Sequence, residues 1–270
     1  MVLDDDACFV AEALRLGNEM LGRVWPNPAV GCVIVRHGRV VGRGQTQIGG
    51  RPHAERVALA DAGTQAAGST VYATLEPCCH WGQTPPCTEA LIQAGVARVM
   101  VSTEDPDPRV NGGGIVQLRD AGMQVDVGLA RDEAEAAHAG FFHRIRFGRP
   151  LVYSTTGRGV DRTADAIVTS VRGRAHDSVQ TGNVRIHVRT MGRTLKLVIT
   201  RDIAPARAHA VSRYELCDTL DEALALLGSM GLTRIAVPSD DAIAPLLRDA
   251  TRLNMMTLPA RRDRQALASR

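Results

Sequence analysis

Residues 70–94 read Thr-Val-Tyr-Ala-Thr-Leu-Glu-Pro-Cys-Cys-His-Trp-Gly-Gln-Thr-Pro-Pro-Cys-Thr-Glu-Ala-Leu-Ile-Gln-Ala. The β-branched and apolar run Thr70–Leu75 predicts a strand, and Pro77 ends it. Thr88–Ala94 predicts a helix. Cys78 and Cys87 therefore stand on one loop, at the end of a strand where open α/β sheets bind their ligands. Upstream, Pro52-His53-Ala54-Glu55 opens a segment expected to be helical through Ala62, with Pro52 in its first turn. One imidazole (His53) and two thiols (Cys78, Cys87) make a three-ligand Zn²⁺ site whose fourth position stays open for water, the mark of a catalytic metal. Glu55, two residues after the histidine, is placed to move protons on and off that water. A structural zinc is the alternative. It needs a fourth ligand, which Cys79 or His80 could supply, and it leaves Glu55 without a task; Cys79 reads as a neighbour that does not ligate.

The rest of the first half extends the same pattern. Residues 4–22 read as a helix, and 29–36 with 39–45 as a strand pair joined at His37-Gly38. After the helix at 52–62 and the central strand come Thr88–Ala94 (helix), Ala97–Thr103 (strand), Gly114–Ala121 (helix), Met123–Gly128 (strand) and Arg131–Phe147 (helix). An initial hairpin followed by strand–helix alternation predicts a three-layer α/β/α domain around a mixed sheet. A boundary is expected near Gly148-Arg149-Pro150, giving domains 1–147 and 148–270. Beyond it the pattern weakens. Residues 155–185 lack clear periodicity, Leu195–Thr200 and Arg234–Pro238 read as strands, and Leu220–Leu227 and Ala242–Leu247 read as helices. Arg262–Arg270 is expected to fray.

Composition narrows the partners. The chain has 270 residues, 44% of them hydrophobic, enough for real cores. A net charge of +3 and 3% aromatic content argue against nucleic acid, which calls for a basic groove with stacking side chains. Lys196 is the only lysine. No apolar run reaches the roughly 20 residues of a membrane span, and the acidic start Met-Val-Leu-Asp-Asp-Asp is unlike a signal peptide, so a cytoplasmic protein is expected. In a reducing compartment the 6 cysteines are not a disulfide framework. Cys32, Cys8 and Cys217 read as small buried hydrophobes.

His-x-Glu followed by Pro-Cys and a further Cys is the pattern of zinc-dependent nucleobase deaminases. The surrounding segments resemble one family more closely: Pro26-Asn27-Pro28-Ala29-Val30-Gly31, Gly50–Glu55, Thr74–Cys78, Gly82-Gln83-Thr84-Pro85-Pro86-Cys87 and Asp105–Ile115. These are similar to the pyrimidine deaminase half of the bifunctional riboflavin-biosynthesis deaminase/reductase. The eight residues between Cys78 and Cys87 contrast with the two typical of tRNA adenosine deaminases. The resemblance spans about residues 5–147. It implies a cytidine-deaminase-like fold and hydrolytic loss of the 2-amino group from 2,5-diamino-6-ribosylamino-4(3H)-pyrimidinone 5′-phosphate. It also implies zinc on His53, Cys78 and Cys87, proton transfer by Glu55, a substrate pocket at Asn27, Thr46, Ala54 and Gln83, and a dimer or tetramer. For Asn27 the lesser alternative is a turn residue between two prolines, whereas loop-capping explains Asp105 and Asn111 as well as substrate contact does.

Two positions depart from the family. Gln83 stands where a lysine is usual and Thr46 where a histidine is usual, so the pocket lacks two potential positive charges and the substrate's phosphate comes into question. The second half departs further. The family's reductase is dihydrofolate-reductase-like, with roughly 200 residues, whereas about 120 remain here. Arg149-Pro150-Leu151-Val152 resembles its opening and Gly231–Asp249 its late strand and helix. Its Val-Gly-x-Gly-Thr segment is not visible, and Val237-Pro238-Ser239-Asp240 stands in place of its Val-Glu-Gly-Gly turn. Gly-rich turns let a backbone approach a dinucleotide pyrophosphate, so NADPH binding is not expected and the second half reads as a shortened, reductase-inactive remnant. The alternatives are a complete deaminase/NADPH-dependent reductase and, outside enzymes, a zinc-stabilised interaction module.

Overall fold

The computed structural model describes residues 2–155, 161–170, 184–191, 194–201, 213–217, 219–241 and 244. The first half is a five-stranded sheet in the order β2-β1-β3-β4-β5. Its strands are β1 (Gly31–Arg36), β2 (Arg39–Gln45), β3 (Thr70–Ala73), β4 (Arg98–Val101) and β5 (Gln124–Val127). β1 runs antiparallel to β2 and β3, and β3–β4–β5 are parallel. The β1–β2 turn is at His37-Gly38, both with positive φ (50° and 72°), the backbone a tight hairpin of right-handed twist requires.

Period-2 alternation sorts the side chains onto two faces. Val33, Val35, Tyr72 and Met100 meet Val10, Ala13 and Leu16 of α1 (Val2–Asn18). Cys32, Ile34, Val71, Val99 and Val101 meet Ala54 and Ala58 of α2 (Ala54–Ala62), Leu91 of α3 (Cys87–Gln93), and Ile115 and Leu118 of α4 (Gly113–Asp120). Each of the fully buried Ile34, Leu91 and Leu118 contributes about 1.5–3 kcal/mol of apolar burial. α5 (Arg131–Phe147) follows β5 and packs beside α1. This is the expected three-layer arrangement. Across the α1 face, Arg98 holds Asp6 with two nitrogens at 3.1 and 2.9 Å, and the Tyr72 hydroxyl donates to the same carboxylate.

The second half is a six-stranded sheet in the order β10-β9-β8-β7-β11-β6. Its strands are β6 (Leu151–Thr155), β7 (Ala166–Ser170), β8 (Val184–Met191), β9 (Thr194–Arg201), β10 (Arg213–Cys217) and β11 (Arg234–Pro238), with α6 (Leu220–Ser229) leading into β11. β6, β11, β7 and β8 are parallel, and β9 and β10 complete an antiparallel edge. Thr219 caps α6, its hydroxyl accepting from Glu222 N at 3.2 Å. The two halves touch directly. Trp25 packs against the second core, and Arg144 Nε donates to Gly228 O at 2.9 Å. Asp165 accepts from the amides of Thr233 and Arg234 and from the Thr233 hydroxyl at 2.6–3.0 Å.

Several expectations change. The first helix ends at Asn18, short of residue 22. Pro52 precedes the helix: His53 is the N-cap and Ala54 the first helical residue, so proline's fixed φ serves the approach to the helix. Cys8 is exposed, because its position on α1 points away from the α1–sheet contact; Cys32 and Cys217 are buried. The stretch 155–185 carries β7, and β8 and β10 are further strands beyond those expected: β8 alternates apolar and polar residues over Val184–Arg189, and β10 is only five residues long. The helix expected at Ala242–Leu247 lies outside the described residues except Ala244, and Arg262–Arg270 lies wholly outside them.

His138, on α5, is 2% exposed; its Nε2 lies 3.2 Å from Thr74 Oγ1 and its Nδ1 has no partner among the described residues. His138 also lines a small cavity between the halves, with Trp25, Asn27, Asp165 and Arg234. Burial pushes this imidazole down to about 4, while an unfolded histidine titrates near 6.5. Between those values the unfolded chain binds the extra proton. Stability from the neutral ring is therefore complete above about pH 6.5, falls as pH drops towards 4, and falls no further below that, for a total on the order of 3 kcal/mol. Chemical denaturation at pH 7.0 and 4.5 should show His138→Gln losing less stability than wild type across that interval; equal losses would remove His138 as the cause.

Candidate metal centre

The site is assembled by three elements. α2 begins immediately after His53, which places the imidazole at the helix entrance and Glu55 in the first turn, 4% exposed. Gly44 on β2 lets α2 sit this close: a Cβ there would lie 2.0 Å from Ala54 O. The loop after β3 carries Cys78, and α3 begins at Cys87. His53 Nδ1 lies 3.6 Å from Cys78 Sγ and 3.5 Å from Cys87 Sγ, with all three ligand atoms within 4.8 Å of one another. Zn–S and Zn–N bonds of about 2.3 and 2.05 Å at a tetrahedral angle place sulfur and nitrogen about 3.6 Å apart. Two thiols and one imidazole at that spacing fit zinc. Among the described residues no fourth histidine, cysteine or carboxylate joins them. Cys79 and His80 therefore leave the fourth position open.

The electrostatics favour ligation. Hydrogen bonding from the Cys87 thiol, and then from His53 and the Cys87 amide, lowers the Cys78 thiol to about 4. The same sharing of one proton pushes Cys87 up. His53 is raised, chiefly by its hydrogen bond with Cys78. Glu55 is raised by burial first and by the Cys78 charge second, and a carboxyl poised in this way can both take and return a proton.

The other sequence-derived residues fall into distinct surroundings. Asn27 Nδ2 donates to Gly50 O at 2.9 Å and lies 3.3 Å from His53 Nε2, so it braces the ligand on its far side. Ala54 is fully buried beneath the site. Thr46 is 1% exposed and its Oγ1 accepts from Val30 N at 3.1 Å, which leaves the hydroxyl proton and one lone pair. Gln83 is exposed on the loop. Cys79 Sγ faces Arg109 O at 3.5 Å, away from the metal group. Asp105 accepts from Asp107 N at 2.8 Å as an Asx cap, and its carboxyl is raised to about 7 by burial. Asn111 sits at φ 26° in the loop before α4.

Glu76 escaped the sequence reading, although it stands two residues before Cys78. Its carboxylate is 3% exposed and accepts four backbone amides: Asp105 N (3.2 Å), Gly112 N (3.0 Å), Gly114 N (2.9 Å) and Ile115 N (3.2 Å). An acidic residue between buried Leu75 and Pro77 is the signal that could have exposed it. Metal analysis of purified protein should give one zinc per chain. Cys87→Ser should abolish it and Cys79→Ser should leave it in place; zinc lost equally from both would refute the ligand set.

Comparison with known proteins agrees with this geometry. Residues 4–103 match the family model of the cytidine and deoxycytidylate deaminase zinc-binding region. The chain is 49% identical over 162 residues to the riboflavin biosynthesis protein RibD of Escherichia coli, covering 60% of this chain and 44% of that protein. It is 39% identical over 209 residues to the chloroplastic riboflavin biosynthesis protein PYRD of Zea mays, covering 77% of this chain and 51% of that protein. The chain thus spans about half the length of these relatives. Its fold is similar to that of Acinetobacter baumannii RibD, with a TM-score of 0.66 and 27% identity over 88% of this chain and 81% of the other. No described helix is long and apolar enough to cross a membrane. With residues 4–103 matching a zinc-binding deaminase region, the three-residue metal group in place and a fold likeness running through both halves, the chain is similar to the RibD riboflavin-biosynthesis proteins.

Proposed function

We propose that this chain is a zinc-dependent hydrolytic deaminase acting on 2,5-diamino-6-ribosylamino-4(3H)-pyrimidinone 5′-phosphate or a close relative. The observation that carries this reading is the His53–Cys78–Cys87 group with buried Glu55 beside it. Zinc bound there would lower the pKa of a water in its open position towards neutrality. Glu55 accepts that water's proton and delivers it to the adjacent ring nitrogen as the oxygen attacks the carbon bearing the 2-amino group. It then passes a proton to the departing amine. The C–N bond breaks, a C=O forms, and ammonia leaves. Asn27 holds His53 from behind and contacts the substrate, Ala54 lines the pocket floor, and Gln83 and the Thr46 hydroxyl proton offer neutral polar contacts.

We assign this chemistry to residues 1–147 and read 148–270 as a reductase-inactive domain that packs against the deaminase. Supporting that reading is the C-terminal end of β11, flanked by parallel β6 and β7. Ligands approach such sheets at this end, and Pro238-Ser239-Asp240 stands there in place of glycines, with Ser239 N already given to Thr155 O at 3.0 Å. A deaminase of this kind would serve riboflavin synthesis beside a separate reductase, or a branch towards azapteridines of the toxoflavin type; Thr46 and Gln83 favour the branch.

Incubated with the diaminopyrimidine phosphate, wild type should release ammonia. Glu55→Gln should keep its zinc and lose turnover by about a hundredfold or more, the usual scale of general acid–base catalysis. Turnover retained in that variant would leave the zinc-stabilised module as the better account. Calorimetric titration should detect no NADPH binding; tight binding, or NADPH oxidation coupled to deamination, would establish the bifunctional alternative.

A further inference from the structure

Two arginines flank the metal-binding segment of α2, and they are employed differently. Arg56 Nη2 donates to Pro85 O at 3.0 Å and Pro86 O at 3.4 Å, holding the residues that lead into Cys87. Arg51, two residues before His53, sends Nη1 to Thr84 Oγ1 at 2.6 Å. A Cβ on Gly82 would stand 3.4 Å from Arg51 Nη2. Its guanidinium therefore lies on the two residues that bracket Gln83, on the loop between Cys78 and Cys87.

A guanidinium has five N–H donors, and among the described residues Arg51 gives one of them, to a neutral hydroxyl, and meets no carboxylate. The side chain is half-buried. A permanent charge partly withdrawn from water and left unpaired is costly, and its remaining edge has the planar fork that matches a phosphate bidentately. Gln83 is neutral and exposed, so the positive charge on this loop comes from position 51.

We infer that Arg51 is the specificity-determining residue for the substrate's 5′-phosphate, its Nη2 edge binding the phosphate oxygens beside the 82–84 loop. This rests on the pyrimidine-deaminase reading above. It means that the neutral residues at 46 and 83 do not make the pocket indifferent to phosphate: the charge reaches the same loop from the segment before α2.

The test uses zinc-loaded full-length protein with two readouts. Calorimetry with ribose 5-phosphate should show Arg51→Gln raising Kd at least tenfold, with Arg51→Gln/Gln83→Lys recovering most of the loss. Thr84→Val, which removes only the loop contact, should stay within threefold of wild type. In ammonia release, Arg51→Gln should lower kcat/KM for the phosphorylated pyrimidine at least tenfold more than for its dephosphorylated form. Unchanged ribose 5-phosphate binding in Arg51→Gln, no binding by wild type, or equal losses on both pyrimidines would overturn the assignment. Zinc content and thermal unfolding report whether each variant is folded. Absence of ammonia from either compound in wild type would refute the deaminase reading, and the ribose 5-phosphate comparison would still decide Arg51.

Discussion

The Glu76 carboxylate is the constraint on which the site depends. It lies inside the protein with both oxygens occupied, Oε2 by the amides of Asp105 and Gly112 and Oε1 by those of Gly114 and Ile115. Two of those amides open α4, where unpaired N–H groups and the helix dipole favour a negative charge. Its own amide donates to Thr103 O at 3.0 Å, tying the end of β3 to the end of β4. A single side chain thus joins β3, β4 and α4 two residues before the first thiol. Removing it would leave four amides without acceptors, and unmet buried donors cost about 1–3 kcal/mol each. The Cys78 loop is anchored at its root for this reason.

From that root the site is built by approach rather than by any long-range field. α2 comes down on β2 where Gly44 has no side chain, and His53 and Glu55 arrive together. Thr88 N donates to Cys78 O at 3.2 Å and Cys87 N to Cys78 Sγ at 3.3 Å, so the start of α3 closes against the first thiol. The second half reaches the back of this assembly. Asn27, which braces His53, also lines the cavity shared with His138, Asp165 and Arg234. Through that cavity the second half borders the residue that lies against His53.

In the first half the sequence was legible nearly element by element because each strand and helix has a buried face and an obvious break. His37-Gly38, Gly63 and Gly148 all fall at turns or helix ends with positive φ. The second half was less legible. β8 does alternate, Val184-Arg185-Ile186-His187-Val188-Arg189, but it stands among glycine- and arginine-rich residues, and β10 is only five residues long, too short for a period-2 pattern to stand out. Cys8 was misread because a small apolar residue fits either side of a helix, and only docking decides which side is covered.

What the sequence by itself determined is the candidate metal group: His53, Cys78 and Cys87, with Glu55 beside them, stand in local motifs that the fold brings together. It also determined the alternation that gives a mixed sheet with helices on both faces. Only the tertiary structure decided which neighbours serve the site. Glu76 turned out to be the anchor, Thr46 to accept from Val30 N, and Arg51 to lie against the loop that holds Gln83. Spacing along a chain can place ligands on one loop or one helix turn. It cannot say which buried carboxylate will meet amides some 29–39 residues away, because those contacts exist only once the sheet has brought the ends of its strands together.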